Sequence, residues 1–347
     1  MDHKERFFLT IERKPVDRLA TWLGEPVKDA IPGLLKHFGA SSFGDLKRKL
    51  GDDVYHVNIP YSSPTSNHVA AAFDFAKKTG HQDYENRTLT APGFFEDYED
   101  PARVEDFDWP DPAKYISPRR CREVVEEVPT DAATMVLAWS AHFQDACAAF
   151  GMETALVKMM TEPEMFKAVI DRILEFYLKA NEIFYESTKG RLDAVLIGND
   201  FGSQTGLMLS PALIRELVFP GTKKLIDQAH AYGLKVVHHS CGSIYDIIQD
   251  LVDLGADAIH PIQALAHNME ADRLSRDFGK VASFCGGVDA QNLLVQGTAG
   301  EVAAEVRRLM GIFPTGLIIS PSHEAILTDI DPANVRAIFE TVQGGAL

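Results

Sequence analysis

No stretch of the sequence approaches the ~18 consecutive apolar residues that a membrane-crossing helix needs, so no transmembrane span is expected. Cysteine is scarce. Four in 347 residues cannot make a disulfide framework, and a cysteine beside a histidine then reads as a ligand or a nucleophile. Positive charge is short as well, with 34 Lys+Arg against 50 Asp+Glu and a net charge of −16. That balance argues against nucleic-acid or anionic-membrane binding as the main task. The opening stretch MDHKERFFLTIERKPVDR carries charges where a signal peptide needs an apolar run, so a cytoplasmic location is expected. The sequence also lacks G-x-G-x-x-G, a Walker A loop, a G-x-S-x-G elbow, H-E-x-x-H and an early H-x-H pair. Dinucleotide binding, P-loop chemistry and the common hydrolase triads lose their support with them.

What is present is a globular composition, 46% hydrophobic and 24% charged, without repeats, low-complexity segments or Gly/Ser linkers. Short apolar runs predict strands at 134–141, 192–199, 234–241, 256–263, 281–289 and 315–323, with earlier candidates at 18–24 and 52–60. Helical periodicity fills 163–186, 211–232 and 243–254, and Asp331-Pro332 marks the start of a final helix. About eight apolar strands alternating with helices predict a parallel sheet covered on both faces, closed into a TIM-like (β/α)₈ barrel. The expected organisation is one domain over 1–347, with an N-terminal helical or irregular extension and an irregular insertion around 61–118. Within that insertion, EDYEDPARVEDFDWPD (Glu96–Asp111) carries eight acids and one Arg. It reads as a solvated excursion pinned by Tyr98, Phe107 and Trp109.

Barrel chemistry collects at the C-terminal ends of the strands. Those ends carry Trp22 and Glu25, Trp139 and His142, Asn199 and Asp200, His239 and Cys241, His260 and Gln263, Cys285 and Asp289, and Ser320 and His323. The sharpest feature is His238-His239-Ser240-Cys241-Gly242. Residues two apart share a strand face, so His239 and Cys241 point one way and His238 and Ser240 the other. An imidazole and a thiolate on one face suit a first-row metal, and the sulfur favours Zn²⁺. His323, at the end of the last strand, is the best-placed third ligand, with Cys285 next. Cys241 as a nucleophile with His239 as base is less favoured, because side chains at i and i+2 stand too far apart for direct proton transfer. Cys121 and Cys147 fall in helical patterns as buried small hydrophobes. His37, His68, His81 and His230 read as surface or helix-end residues.

The stretches GNDFGSQTGLMLSPALIRELVFPGTKKLIDQAHAYGLKVVHHSCGSIYDIIQDLVDLGADAIHPIQ, CGGVDAQNLLVQGT and GLIISPSHEAILTDIDPANVRAIFE resemble the uroporphyrinogen decarboxylase superfamily. The likeness runs from ERKPVDRLATW to the last helix and is densest from Asp193 onward. It implies a TIM-like barrel and one of two chemistries. Decarboxylases of the tetrapyrrole pathway carry an arginine motif after the first strand, which holds the substrate's carboxylates. Here that segment is WLGEPVKDAIPGLL, with two acids and a single Lys in its first eight residues. The other branch consists of zinc methyltransferases and corrinoid-dependent demethylases with an H-x-C-G motif, matched by His239, Cys241 and Gly242. Its usual third ligand is a Cys near the last strand, where this sequence reads Ser320-Pro321-Ser322-His323. A His–Cys–His set leaves the divalent ion one net positive charge, whereas His–Cys–Cys neutralises it, so the former is the stronger Lewis acid.

The resemblance thus implies zinc-dependent methyl transfer between a small methylated compound and the cobalt of a separate corrinoid protein. The methylated compound would be a methyl ether such as a methoxylated aromatic, methanol or a thiol. Asp200 and Gln263 are the expected catalytic groups. Trp22, Asn199, Asp200, Gln204 and Asp289 are the expected substrate contacts, with Gln263 and Asp289 as alternative supports for the ligating imidazoles. For Asp200 and Asp289 the plain alternative is a cap or turn role. A metal-free decarboxylase and a non-catalytic tetrapyrrole- or corrinoid-binding barrel are the competing readings, and a homo-oligomer is compatible with the sequence.

Overall fold

A computed structural model describes residues 1–76 and 90–344. Seven strands, β1 (Val54–Asn58), β2 (Ala133–Trp139), β3 (Ala194–Gly198), β4 (Lys235–His239), β5 (Ala258–Ile262), β6 (Ser283–Val288) and β7 (Leu317–Pro321), pair in parallel in sequence order. Helices connect them, and the result is a TIM-like α/β barrel. The strands are apolar almost throughout because both faces are covered. Val136, Ala138, Val195, Ile197 and Val236 pack into the layer under the helices. The residues that alternate with them, Met135, Leu137, Leu196 and Val237, join a second cluster with Trp22, Cys285 and Ile318. Phe7 and Ile11 of the N-terminal helix His3–Ile11 belong to that second cluster, which fills the barrel interior.

The expected first strand, 18–24, is reduced to a single parallel bridge from Thr21 to Ile319. Trp22 N–H donates to Ile319 O at 3.0 Å, and Ile319 N–H donates to Ala20 O at 2.8 Å. The pairing runs on with Glu25 N–H to Glu324 O at 2.7 Å and Val27 N–H to Ile326 O at 3.0 Å. On the other side, two carboxylates replace most of the ladder to β1: Asp52 accepts Leu23 N–H at 3.1 Å, and Asp53 is the larger hub. Asp53, with a fully buried side chain, accepts from Thr21 N–H at 2.9 Å, Arg6 Nη1 at 2.7 Å, Arg18 Nη1 at 2.6 Å and His3 Nδ1 at 2.7 Å. The barrel therefore closes between β7 and β1 through a side-chain hub.

Helices follow the sequence with two exceptions. Pro163–Ser187 is continuous, and Asp331 caps Pro332–Val342 by accepting Ala333 N–H at 2.8 Å. The region expected as one helix over 211–232 is broken. A short turn at Pro211–Leu213 passes through a wide turn at Ile214–Val218 into Phe219–Ala231. Pro220, which has no N–H to donate, stands in the first turn of that last helix. The pattern over 243–254 likewise begins as a tight turn, Tyr245–Ile247, before the helix Ile248–Leu254. Between β1 and the helix Pro118–Glu126, the described residues form only short turns, Val69–Ala71, Pro101–Asp106 and Pro112–Tyr115. They are gathered on Phe75, Phe95, Phe107 and Trp109, whose rings lie 4.8–6.4 Å apart. No helix among the described residues is long and apolar enough to cross a membrane.

Burial opposes the charge on Asp53, but hydrogen bonds from His3 and Arg18 and the guanidinium charges outweigh it and hold the carboxyl below its ordinary 3.8. A carboxyl held down in the folded state stabilises at neutral pH, and that contribution is lost as pH falls through its folded pKa. Asp53→Asn is expected to cost about 3 kcal/mol at pH 7, because it leaves Arg6 and Arg18 without their buried counter-charge. In urea melts the gap to the wild type should narrow below pH 3.8. An equal gap at pH 3 and pH 7 would contradict the charge-based closure.

Candidate metal centre

His239 ends β4, and its inward face follows from the two-residue period that also turns Val237 inward. Cys241 lies two residues on, beyond the strand, where the chain turns back. Gly242 makes that turn possible. Its φ is +82°, and a Cβ there would meet the Gly202 carbonyl carbon at 2.4 Å. The β3 and β4 loops are thus pressed together, which sets Asp200 beside Cys241. Asp200 Oδ1 accepts Cys241 N–H at 2.8 Å and lies 3.3 Å from His239 Nε2. That same Nε2 is 3.4 Å from Cys241 Sγ. His239 and Cys241 are therefore in direct contact, contrary to the expectation that their spacing keeps them apart. The turn after His239 folds the thiol back over the ring.

On its other edge, His239 Nδ1 lies 2.8 Å from His260 Nδ1 and 3.7 Å from Glu324 Oε2. His260 is one of the strand-end residues named from the sequence, without a role there, and Glu324 is not among them. His260 Nε2 and Glu324 Oε2 are buried without a hydrogen-bond partner. Two compact sets of donor atoms, each within 4.8 Å of one another, thus share His239: Asp200–His239–Cys241 and His239–His260–Glu324. His323 stands against Cys241 but belongs to neither set. Its Nδ1 accepts Ala325 N–H at 3.1 Å and lies 3.6 Å from Glu324.

The electrostatics follow from this packing. Burial opposes the charge on His239, yet hydrogen bonds to Asp200 and Cys241 and the Glu324 charge raise its pKa well above 6.5. Asp200 resists burial in the same way and is held down at about 2 by His239 and the Cys241 N–H. The Cys241 thiol, which burial alone would push up, is lowered by hydrogen bonds from His239 and His323. His260 is driven well below 6.5 by burial and by the neighbouring imidazoles. The arrangement favours a thiolate at Cys241 and a neutral ring at His260.

The other expected site residues are placed elsewhere. Asn199 is buried, and its Oδ1 accepts Phe143 N–H at 2.8 Å, so it ties the end of β3 back to the helix that follows β2. Asp289 is spent on the turn after β6, accepting from the N–H groups of Gln291, Asn292 and Leu293 at 2.8, 3.2 and 3.1 Å. Trp22, only 1% exposed, packs 5.2 Å from His260 and 6.2 Å from His56 inside the barrel and offers a substrate no surface. Gln204 is exposed on the loop after β3. Cys285 is buried in the barrel interior, where burial raises its thiol despite a hydrogen bond with Ser320, so it does not join the donor set. His142 is buried with both ring nitrogens 3.2 Å from carbonyl oxygens. His37, His68 and His230 are exposed, whereas His81 lies outside the described residues.

Gln263 stays at the site. Its Oε1 accepts Gly242 N–H at 2.6 Å, and its side chain lines a cavity of about 370 Å³. Ser322, His323, Ala325, Leu327 and Asp329 continue that wall, and none of the described residues lining it is Lys or Arg. At the end of β2, Trp139 and Ser140 hold φ at +57° and +51°, a conformation uncommon for non-glycine residues. The strain turns the Trp139 ring edge-on to His239 at 5.2 Å.

Residues 83–344 match the family model for uroporphyrinogen decarboxylase (URO-D). The chain belongs to the uroporphyrinogen decarboxylase family. Among solved structures it is similar to a methyltransferase from Methanosarcina mazei, with a TM-score of 0.67 and 16% identity over 99% of each chain. At that identity the likeness is one of fold. No curated protein matches the sequence significantly. The arginine-rich segment expected of a family decarboxylase is replaced by Glu25, whose carboxylate accepts from Asn58 Nδ2 at 3.0 Å, and by an exposed Lys28.

Of the four cysteines, only Cys241 is not fully buried. Iodoacetamide at neutral pH should therefore alkylate Cys241 first in the chelator-treated chain, as read by peptide mass spectrometry, and added zinc should slow the reaction. Prior labelling of Cys121, Cys147 or Cys285 would contradict the lowered Cys241 thiol.

Proposed function

We propose that this single-domain barrel is a zinc-dependent methyltransferase that moves a methyl group between a small methylated compound and a separate corrinoid protein. The observation that carries the reading is the contact of His239 Nε2 with Cys241 Sγ at 3.4 Å, beside a carboxylate at the barrel mouth. Imidazole nitrogen, thiolate sulfur and a third N or O donor form a set that suits Zn²⁺ and leaves one position for an outside ligand. The buried, unpartnered atoms of His260 and Glu324 fit the same reading. A ligating histidine commonly donates its second N–H to a supporting acceptor. When bound, zinc would supply the Lewis acidity that polarises the heteroatom carrying the methyl group.

The chain's own groups then divide the work. His260 and Glu324 hold the proton of His239 on Nδ1, which leaves its Nε2 lone pair facing Asp200 and Cys241. Gln263 has its Oε1 committed to Gly242, so its amide N–H₂ is the group left to donate to a substrate oxygen in the cavity. Ala290, Val295 and Leu327 give that cavity an apolar wall, and at about 370 Å³ it accepts a molecule the size of a substituted benzene rather than a tetrapyrrole. Asp200, Glu324 and Asp329 surround the mouth without a Lys or Arg ion pair among the described residues. A polycarboxylate would meet repulsion there where it needs guanidinium groups. That favours methyl transfer from a neutral donor over porphyrinogen decarboxylation.

The test is incubation of the zinc-loaded chain with cob(I)alamin and a panel of methoxylated aromatics, methanol and methylated thiols. A methyl–cobalt absorption spectrum that depends on substrate, and drops at least about 100-fold in rate with Cys241→Ala, is expected. Release of carbon dioxide from a porphyrinogen by the metal-free chain would contradict the proposal.

A further inference from the structure

We infer that the third protein ligand at this centre is the Asp200 carboxylate, and that His323 is an outer N–H donor to the Cys241 sulfur. The inference rests on the zinc reading above and refines it. Asp200 has the geometry of a ligand. Its Oδ1 lies 3.3 Å from His239 Nε2, and one donor atom each from Asp200, His239 and Cys241 falls within 4.8 Å of the other two. The bond from Cys241 N–H to Oδ1 at 2.8 Å fixes carboxylate and thiol in one frame before any ion arrives, which limits the ordering cost of binding.

His323 is disposed differently. Its Nδ1 accepts the Ala325 N–H at 3.1 Å, so that nitrogen carries no proton and its lone pair is already used. The proton of the neutral ring then sits on Nε2, which donates and cannot ligate. Making His323 a ligand would require breaking the Ala325 bond and moving the proton. His239 shows the opposite pattern. Its Nδ1 faces His260 at 2.8 Å and the Glu324 carboxylate at 3.7 Å, which favours the proton there and leaves Nε2 toward Asp200 and Cys241. One imidazole, one thiolate and one carboxylate also neutralise a divalent ion, whereas a second imidazole in place of the carboxylate leaves it cationic.

X-ray absorption at the zinc edge of the reconstituted wild-type chain decides the point without relying on a variant that folds. One sulfur and a single imidazole, with oxygen in the remaining positions, is the expected first shell. One sulfur with two imidazoles would overturn the inference while leaving the zinc reading intact. A chain that takes up no zinc after chelator treatment and reconstitution would instead overturn the reading beneath it. Competition against a chromophoric chelator supplies the second measurement. Asp200→Ala should weaken zinc binding at least about 100-fold, and His323→Ala, which removes only an outer hydrogen bond, about 10-fold. The reverse order would overturn the assignment.

Discussion

The position of the site depends on how the sheet is closed. In a flat parallel sheet, β4 and β7 would stand roughly 14 Å apart, three strand spacings of about 4.8 Å. Here His239, on β4, lies 3.7 Å from Glu324 in the loop after β7, and His323 reaches the Cys241 thiol. Those contacts across the mouth exist only because the sheet is rolled and held at its seam. The seam is the stretch 20–27, hydrogen-bonded through its backbone to β7 and the loop beyond it and tied to β1 by the buried Asp53 carboxylate, which joins Arg6, Arg18, His3 and the Thr21 backbone in one ionic knot. A closure built on side-chain charge in place of a full ladder puts the most electrostatically sensitive part of the fold at the base of β1 and the chemistry at the opposite ends of the strands.

Much of this was legible in the sequence, and the failures have physical causes. The apolar runs announced the strands because parallel strands are buried on both faces, whereas His239 and Cys241 meet through the turn after β4 and not through a shared strand face. The stretch 18–24 looked like the other strands. Its pairing to β1, however, is carried by Asp53, fifty residues after His3 in sequence and invisible to local periodicity. Asn199 and Asp289 sit at strand ends, where polarity suggests function, yet Asn199 accepts a backbone N–H of a helix before its strand and Asp289 accepts those of the turn after its own. His260 has no role in the sequence reading, and Glu324 no place in it, because their importance comes from distances across the barrel. The signals were present in IHPI and SHEA, but only closure gives them a partner.

The site also shows why polarity alone misleads about charge. The chain is acidic overall, and the same bias persists at the mouth, where Asp200 and Glu324 flank two imidazoles and a thiol and Asp329 lines the adjoining cavity. Without a cation Asp200 and Cys241 pair with His239, whose ring is held charged by the carboxylates and the sulfur, while His260 Nε2 and Glu324 Oε2 stay without a hydrogen-bond partner. A divalent ion in that position would find the Cys241 thiolate and the Asp200 carboxylate as donors and Glu324 as a nearby counter-charge. A cluster of this charge suits a cation and opposes an anionic substrate, and the proposed function rests on that contrast.

The central claim is that His239 and Cys241 hold a catalytic zinc, and the most direct test is the metal content of the purified chain. Elemental analysis should find about one zinc per wild-type chain, and less than about one tenth of that in folded His239→Ala and Cys241→Ala variants. Equal zinc in wild type and variants, or a zinc-free wild-type chain that decarboxylates a porphyrinogen, would contradict the account.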